Sequence, residues 1–205
     1  MHKLDLQAYQ TLRSGAQVIE ADKLGDKVLR LADGTFLKLF RRKRLISSAA
    51  VFPYAERFAH NAAVLAARGI PCPQVIAVFR VTELKRDGVH YHPLPGITLR
   101  ELVRGGLSTE QTARLRERFN AFVRGLHDQG LYFRSLHLGN VVLTPDDRLG
   151  LIDISDVRVH RKALSPFWRA RNLRRMEGIE GERDWLDREI LLAPDGARAA
   201  PAAPW

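Results

Sequence analysis

The stretch from Leu126 to Asp153 constrains this chain more than any other. A helical run ends at Gly130, and a polar loop carrying Ser135, His137 and Asn140 follows. Asn140-Val141-Val142-Leu143 and Leu149-Gly150-Leu151-Ile152 then read as two short strands around the turn Thr144-Pro145-Asp146-Asp147, with the carboxylate of Asp153 at the end of the second. Asn140 and Asp153 stand 13 positions apart across that hairpin, a separation that can bring an amide oxygen and a carboxylate to one point. Oxygen ligands of this kind suit Mg²⁺, which keeps several waters and adds phosphate oxygens of a nucleotide. Each residue also has a plain structural use. Asn140 can hold a turn through its backbone, and Asp153 can cap a following helix or pair with Arg158.

Upstream, residues 16 to 40 are strand-like. Gln17 to Glu20 precede a turn at Lys23-Leu24-Gly25-Asp26, and Lys27 to Leu31 and Thr35 to Phe40 flank Asp33-Gly34, a strong hairpin signal. Lys38 lies in the last of these runs between apolar neighbours, a position costly for a lysine without an anionic partner unless it snorkels to a solvated face. The spacing of Phe58, Ala62 and Leu65 predicts a helix over 53–68, ended by Gly69. Val75 to Val81 and Val89 to His92 read as strands joined through Arg86-Asp87-Gly88, and Pro93-Leu94-Pro95-Gly96 reads as a connector. A helix over 98–104 and a longer one over 108–129 follow, the latter with capping-box spacing at Ser108 and Gln111 and a stripe of Leu115, Phe119, Phe122 and Leu126. A basic helical region over 166–192 ends the fold, and the Ala/Pro-rich tail over 193–205 is expected to be disordered. The domain reading is therefore an N-terminal lobe over 1–92, a hinge over 93–97 and a helical C-terminal lobe over 98–192.

The 205 residues carry 33 basic against 23 acidic side chains, a net charge of +10. That excess, with patches at Arg41-Arg42-Lys43-Arg44 and at Arg158, Arg161, Lys162, Arg169, Arg171, Arg174 and Arg175, points to an anionic partner. Candidates are a nucleotide, a phosphorylated glycolipid or the inner-membrane surface. Nucleic acid is disfavoured, because Phe119, Phe122 and Trp168 read as packing residues. The single cysteine, Cys72, excludes an intramolecular disulfide and a multi-cysteine zinc site, and reads as an inert packed thiol. The N-terminus lacks the apolar core of a signal peptide, and no run is long enough to span a membrane. A cytoplasmic protein, peripheral at most to the inner membrane, is expected.

The loop and the strand-end Asp resemble the catalytic loop and metal-binding Asp of the protein-kinase-like superfamily. Leu136-His137-Leu138-Gly139-Asn140 is closest in wording to bacterial lipopolysaccharide (Kdo and heptose) kinases and to Bud32/RIO-like small kinases. Over 16–190 the chain is similar to small toluene-tolerance-type, lipopolysaccharide-kinase-like proteins. The resemblance implies an α+β, two-lobed fold: a small antiparallel sheet with one helix, a hinge, and a mostly helical lobe. It implies ATP and Mg²⁺ as cofactors, with Lys38 pairing the phosphates, Asn140 and Asp153 holding the metal, and the segment of Tyr91, His92 and Leu94 meeting the adenine through its backbone.

The chain departs from that pattern in four places. Ser135 occupies the position of the usual catalytic Asp, five residues before Asn140, leaving His137 or Asp156 as substitute bases. The metal triplet reads Asp153-Ile154-Ser155 without its glycine, and the first turn has one glycine, Gly25. The helix that should carry a lysine-pairing Glu has Phe58 near that register, with Glu56 and Asn61 as imperfect substitutes. Two functions follow from a retained Lys, Asn and Asp without the base. One is an atypical phosphotransferase acting on a sugar hydroxyl of an envelope glycolipid. The other is a nucleotide-binding pseudokinase serving as a scaffold in envelope stress or solvent tolerance. A Bud32-like ATPase linked to transfer-RNA modification is a third, weaker possibility.

Overall fold

A computed structural model describes residues 1–41 and 52–193. The basic run after Arg41 and the Ala/Pro-rich tail after Ala193 lie outside the described residues. The protein is mixed α+β and divides into two compact units, the first made of Met1–Leu94 with Asp153–Asp156, the second of Pro95–Ile152 and the chain from Val157 onward.

The first unit is built on a six-stranded mixed sheet: β1 (His2–Leu4), β2 (Gln17–Asp22), β3 (Gly25–Arg30), β4 (Phe36–Arg41), β5 (Gln74–Val81) and β6 (Arg86–His92), in the order β1-β5-β6-β4-β3-β2. The expected all-antiparallel sheet is corrected at one edge, where β1 runs parallel to β5. A second correction is an additional helix. α1 (Leu6–Leu12) is capped by Asp5, whose carboxylate accepts from the Ala8 N–H at 2.7 Å. The Asp33-Gly34 turn forms as read, with Asp33 accepting from the Thr35 N–H and hydroxyl. Strand alternation sends Leu37 and Leu39 into a core with Leu29, Phe79, Val81 and Tyr9 of α1, and leaves Phe36, Lys38 and Phe40 on the opposite face. On that second face α2 (Tyr54–Ala67) brings Phe58 to 5.2 Å from the Tyr91 ring and stacks Tyr54 on Phe40.

The β5–β6 connection differs from expectation. Arg86, Asp87 and Gly88 are strand, and the turn falls earlier, where Lys85 takes the left-handed conformation a glycine was expected to supply (φ 51°). Gly88 has another duty. A Cβ there would stand 2.4 Å from Phe79 Cζ, so the bare backbone makes room for a core ring on the neighbouring strand.

The second unit contains α3 (Leu99–Arg104), α4 (Thr109–Asp128), α5 (Pro166–Glu177), α6 (Arg188–Leu192) and five short strands: β7 (Ile97–Thr98), β8 (Leu131–Phe133), β9 (Val141–Leu143), β10 (Leu149–Leu151) and β11 (Val157–Val159). Both α3 and α4 begin with complete capping boxes, Thr98 with Glu101 and Ser108 with Gln111. The buried stripe of α4 is Leu115, Phe119, Val123 and Leu126; Val123 takes the place expected for Phe122, which is only half-buried. The basic region over 166–192 is not one helix: it breaks after α5, at Gly178, and includes a single 3-10 turn, Arg183–Trp185, before α6. Gly96 (φ 133°) is required where β7 meets β9, since a Cβ would lie 2.2 Å from the Leu143 carbonyl oxygen.

Candidate functional site

In the first unit Lys38 and Asp153, 115 positions apart, form an ion pair with Nζ 2.5 Å from Oδ1. Leu37 and Leu39, buried on the other face of β4, fix the direction of the lysine, and its ammonium stands 5.8 Å from the Phe40 ring centre. Asp153 adopts a left-handed backbone (φ 52°), a strained conformation for a residue with a Cβ. The segment after it is anchored by α2: Asn61, buried, donates to the Ile154 carbonyl at 2.7 Å. Of the two substitutes considered for the lysine-pairing Glu, Asn61 thus supports the backbone beside Asp153, and Glu56 lies 3.7 Å from the N-terminal ammonium. Lys38 finds its anion in Asp153 itself.

This pair lines a cleft of about 390 Å³ with Lys27, Arg41, Arg86 and Ser155. Lys27 is engaged by Glu20 at 2.8 Å. Ser155, which the sequence presents only as a missing glycine, faces the same cleft. Tyr91 is a core residue: its ring is buried against Phe58 and Phe36, and burial, followed by the Asp153 charge, pushes its hydroxyl well above the usual tyrosine range. Its backbone and that of His92 belong to β6, paired with Val75 and Gln74, and Leu94 is the last residue of this stretch of the unit.

In the second unit Ser135, His137 and Asn140 share one loop. Asn140 belongs to a 3-10 turn, Leu138–Asn140, and not to the strand as expected. Its Nδ2 donates to the Ser135 carbonyl at 2.9 Å, leaving Oδ1 without a hydrogen-bond partner among the described residues. Its backbone carbonyl accepts from the N–H of Ile152, the residue before Asp153, at 3.0 Å. Three residues that sequence reading missed set this loop. Arg100 pairs with Glu182 at 2.7 Å and reaches His137 Nδ1 at 3.2 Å, and Glu182 also accepts the Leu138 N–H at 3.0 Å. Gly139 leaves space for Arg100, whose guanidinium would lie 2.8 Å from an added Cβ. Below the loop Asn172 accepts the Phe133 N–H, donates to the Phe133 carbonyl and contacts buried His127 Nε2 at 3.1 Å. Burial lowers the His127 imidazole to about 4, so the ring is neutral and serves the core. The capping-box spacing of Thr98 and Glu101 is the local signal that could have placed Arg100 in a helical first turn.

The Asp153 carboxylate in the first unit and the Asn140 amide oxygen in the second are each hard oxygen donors, the type that suits Mg²⁺. No cluster of three His, Cys, Asp or Glu side chains able to hold a metal occurs among the described residues. No protein-family model matches the chain, and no curated protein matches it at a significant level.

Proposed function

We propose that the chain is an atypical ATP-dependent phosphotransferase with a two-lobed, protein-kinase-like arrangement, whose acceptor is a sugar hydroxyl of an envelope glycolipid. The observation that carries this is the Lys38–Asp153 pair lining a solvent-open cleft. Lys38 binds nucleotide phosphates, and Asp153 and Asn140 supply oxygen ligands. A Mg²⁺ ion held by these two residues would supply charge neutralisation at the phosphoryl oxygens. The stretch of Tyr91, His92 and Leu94 offers backbone groups to the base. Ser135, in the place of the general base, cannot take up the acceptor's proton as a carboxylate would, which costs about 10²- to 10⁴-fold in rate. Positioning and charge neutralisation, which dominate phosphoryl transfer, remain.

The anionic partner has support in α5. Phe167, Arg171, Arg174 and Arg175 are exposed on its outer face, Phe167 at 61%, and the three arginines form no ion pair among the described residues. No helix among the described residues is long and apolar enough to cross a membrane. Peripheral contact with an anionic glycolipid from the cytoplasmic side fits that face.

The test is calorimetric titration of Mg·ATP into the wild-type protein, Lys38→Ala and Asp153→Ala. Binding lost in both variants supports the assignment, and an absence of binding to wild type at millimolar nucleotide removes it. A second reading, a nucleotide-binding pseudokinase, is favoured by Ser135. Ser135→Asp should raise turnover in an impaired kinase, and unchanged turnover despite ATP binding would favour the scaffold.

A further inference from the structure

The first unit holds a second cavity, of about 380 Å³, walled by α1 and by the turn between β2 and β3. Nothing in the phosphotransferase reading uses it. Three guanidiniums line it: Arg13 at the C-cap of α1, Arg41 at the end of β4 and Arg86 at the start of β6. Arg41 and Arg86 are direct register partners on neighbouring strands, so two like charges stand side by side. One carboxylate, Asp26, answers them, and it is already engaged by Arg13 at 2.7 Å.

The remaining positive charge is unmatched. Arg86 is 9% exposed, gives one N–H to the Leu24 carbonyl at 2.5 Å, and forms no ion pair among the described residues. Arg41 likewise forms none among them. Buried Arg13 Nε has no hydrogen-bond partner among the described residues. Burial, then the neighbouring Arg41 charge, depresses the Arg86 guanidinium, and the nearby Asp22 and Asp26 carboxylates offset this only in part. Of the three only Arg86 is buried, and burying a guanidinium is costly unless an anion joins it; Arg41 and Arg13 reach the same cavity from its exposed rim. A water-filled cavity supplies hydrogen bonds but no charge. Forked guanidinium donors match the oxygens of a phosphoryl group bidentately, and a phosphoryl dianion answers more than one of them at once.

We propose that this cavity binds a phosphoryl group, free or as part of a small phosphorylated molecule, through Arg13, Arg41 and Arg86. The site is separate from the Lys38 cleft but shares Arg41 and Arg86 with it, so its occupant neutralises charge that the cleft would otherwise present to a nucleotide.

The experiment uses inorganic pyrophosphate and inorganic phosphate as probes, titrated calorimetrically at low salt without Mg²⁺ into wild type, Arg13→Gln, Arg41→Gln and Lys38→Ala. Arg13 is well exposed along its side chain, so Arg13→Gln is expected to fold, and it lines this cavity and not the Lys38 cleft; Arg41→Gln, which alters both, is read together with Lys38→Ala. The expected result is saturable binding to wild type, weakened about tenfold or more in both arginine variants and retained in Lys38→Ala. Stronger binding of pyrophosphate than of phosphate identifies a diphosphate-bearing ligand, and equal binding a single phosphoryl group. No saturation in wild type, unchanged binding in Arg13→Gln, or equal loss in Lys38→Ala would each overturn the proposal. Mg·ATP binding is measured on the same variants. Its survival in Arg13→Gln separates the fate of this site from that of the Lys38 cleft.

Discussion

In the second unit Arg169 is 1% exposed, donating to the Leu164 carbonyl and to Asp128, and Arg100 is held by Glu182, which also accepts a backbone N–H. In the first unit Arg41 and Arg86 form no ion pair among the described residues, although Glu20, Asp22 and Asp26 line the same cavities, and the Lys38–Asp153 pair faces an open cleft, with the Asp153 side chain 45% exposed. Matched charges fix a position, because removing either partner leaves the other stranded. Unmatched charges cost stability and persist where a ligand supplies the counter-charge. The second unit thus uses its polar residues to hold one loop in one conformation. The first, around the Lys38 cleft, keeps Lys38, Asp153 and Arg41 at an open surface.

The strongest test of that contrast is a pair of variants. Glu182→Ala removes the acceptor of both Arg100 and the Leu138 N–H in a buried setting, and should lower unfolding free energy by about 4 kcal/mol. Lys38→Met breaks a pair whose carboxylate is half exposed, and should cost about 1 kcal/mol or less. Urea denaturation of both variants gives the comparison. Equal losses would mean that the Lys38–Asp153 pair is structural, and the contrast would fail.

The next effect is pH-dependent. His127 titrates near 6.5 when unfolded and is lowered by burial to about 4 when folded. The unfolded chain therefore takes up the proton first as pH falls. The stabilisation is fully present above about 6.5 and is lost progressively toward 4, by on the order of 3 kcal/mol. Measured against His127→Gln, wild type should show the extra loss mainly between about pH 6.5 and 4; parallel stability curves would place the ring in a wetter setting. Smaller again is Gly88→Ala in the first unit, where the new methyl meets the Phe79 ring. Such overpacking costs about 2 kcal/mol, with the chemical denaturation midpoint as the readout. Unchanged stability there would show that the ring, buried on both sides, can still move.

What the sequence disclosed followed the range of the interaction. The Asp33-Gly34 turn and the caps at Ser108 and Gly130 are local and legible. The Asp5 cap of α1 was equally local, yet the helix is only one turn longer than its cap reaches and offered little periodicity. β1 was hidden because its identity rests on a parallel pairing with β5, far along the chain. Lys85 hid the true β5–β6 turn by adopting a conformation ordinarily left to glycine. In the candidate site, Asn140 and Asp153 stood out by their spacing across a hairpin and Lys38 by its apolar strand neighbours, and resemblance gave them roles. The direct pairing of Lys38 with Asp153 was not legible, since resemblance assigned them to different ligands. Arg100 and Glu182 stand 82 positions apart and left no joint signature at all.

The smallest expected effect concerns Cys72, between Pro71 and Pro73 at the join of α2 and β5. Its thiol donates to the Ala62 carbonyl at 3.4 Å, and burial pushes it up to about 11 from 9. The reactive species is the thiolate, so at pH 8 its population falls about 100-fold below that of an unperturbed thiol. Modification by a thiol reagent should be slowed by about that factor, and the rate should be unaffected by Lys38→Met, which alters the cleft and not this corner. A rate near that of a free thiol would show that the α2–β5 join opens readily. Since α2 also carries Asn61, the anchor of the segment behind Asp153, an opening join would make the cleft of the first unit a mobile feature instead of a preformed one.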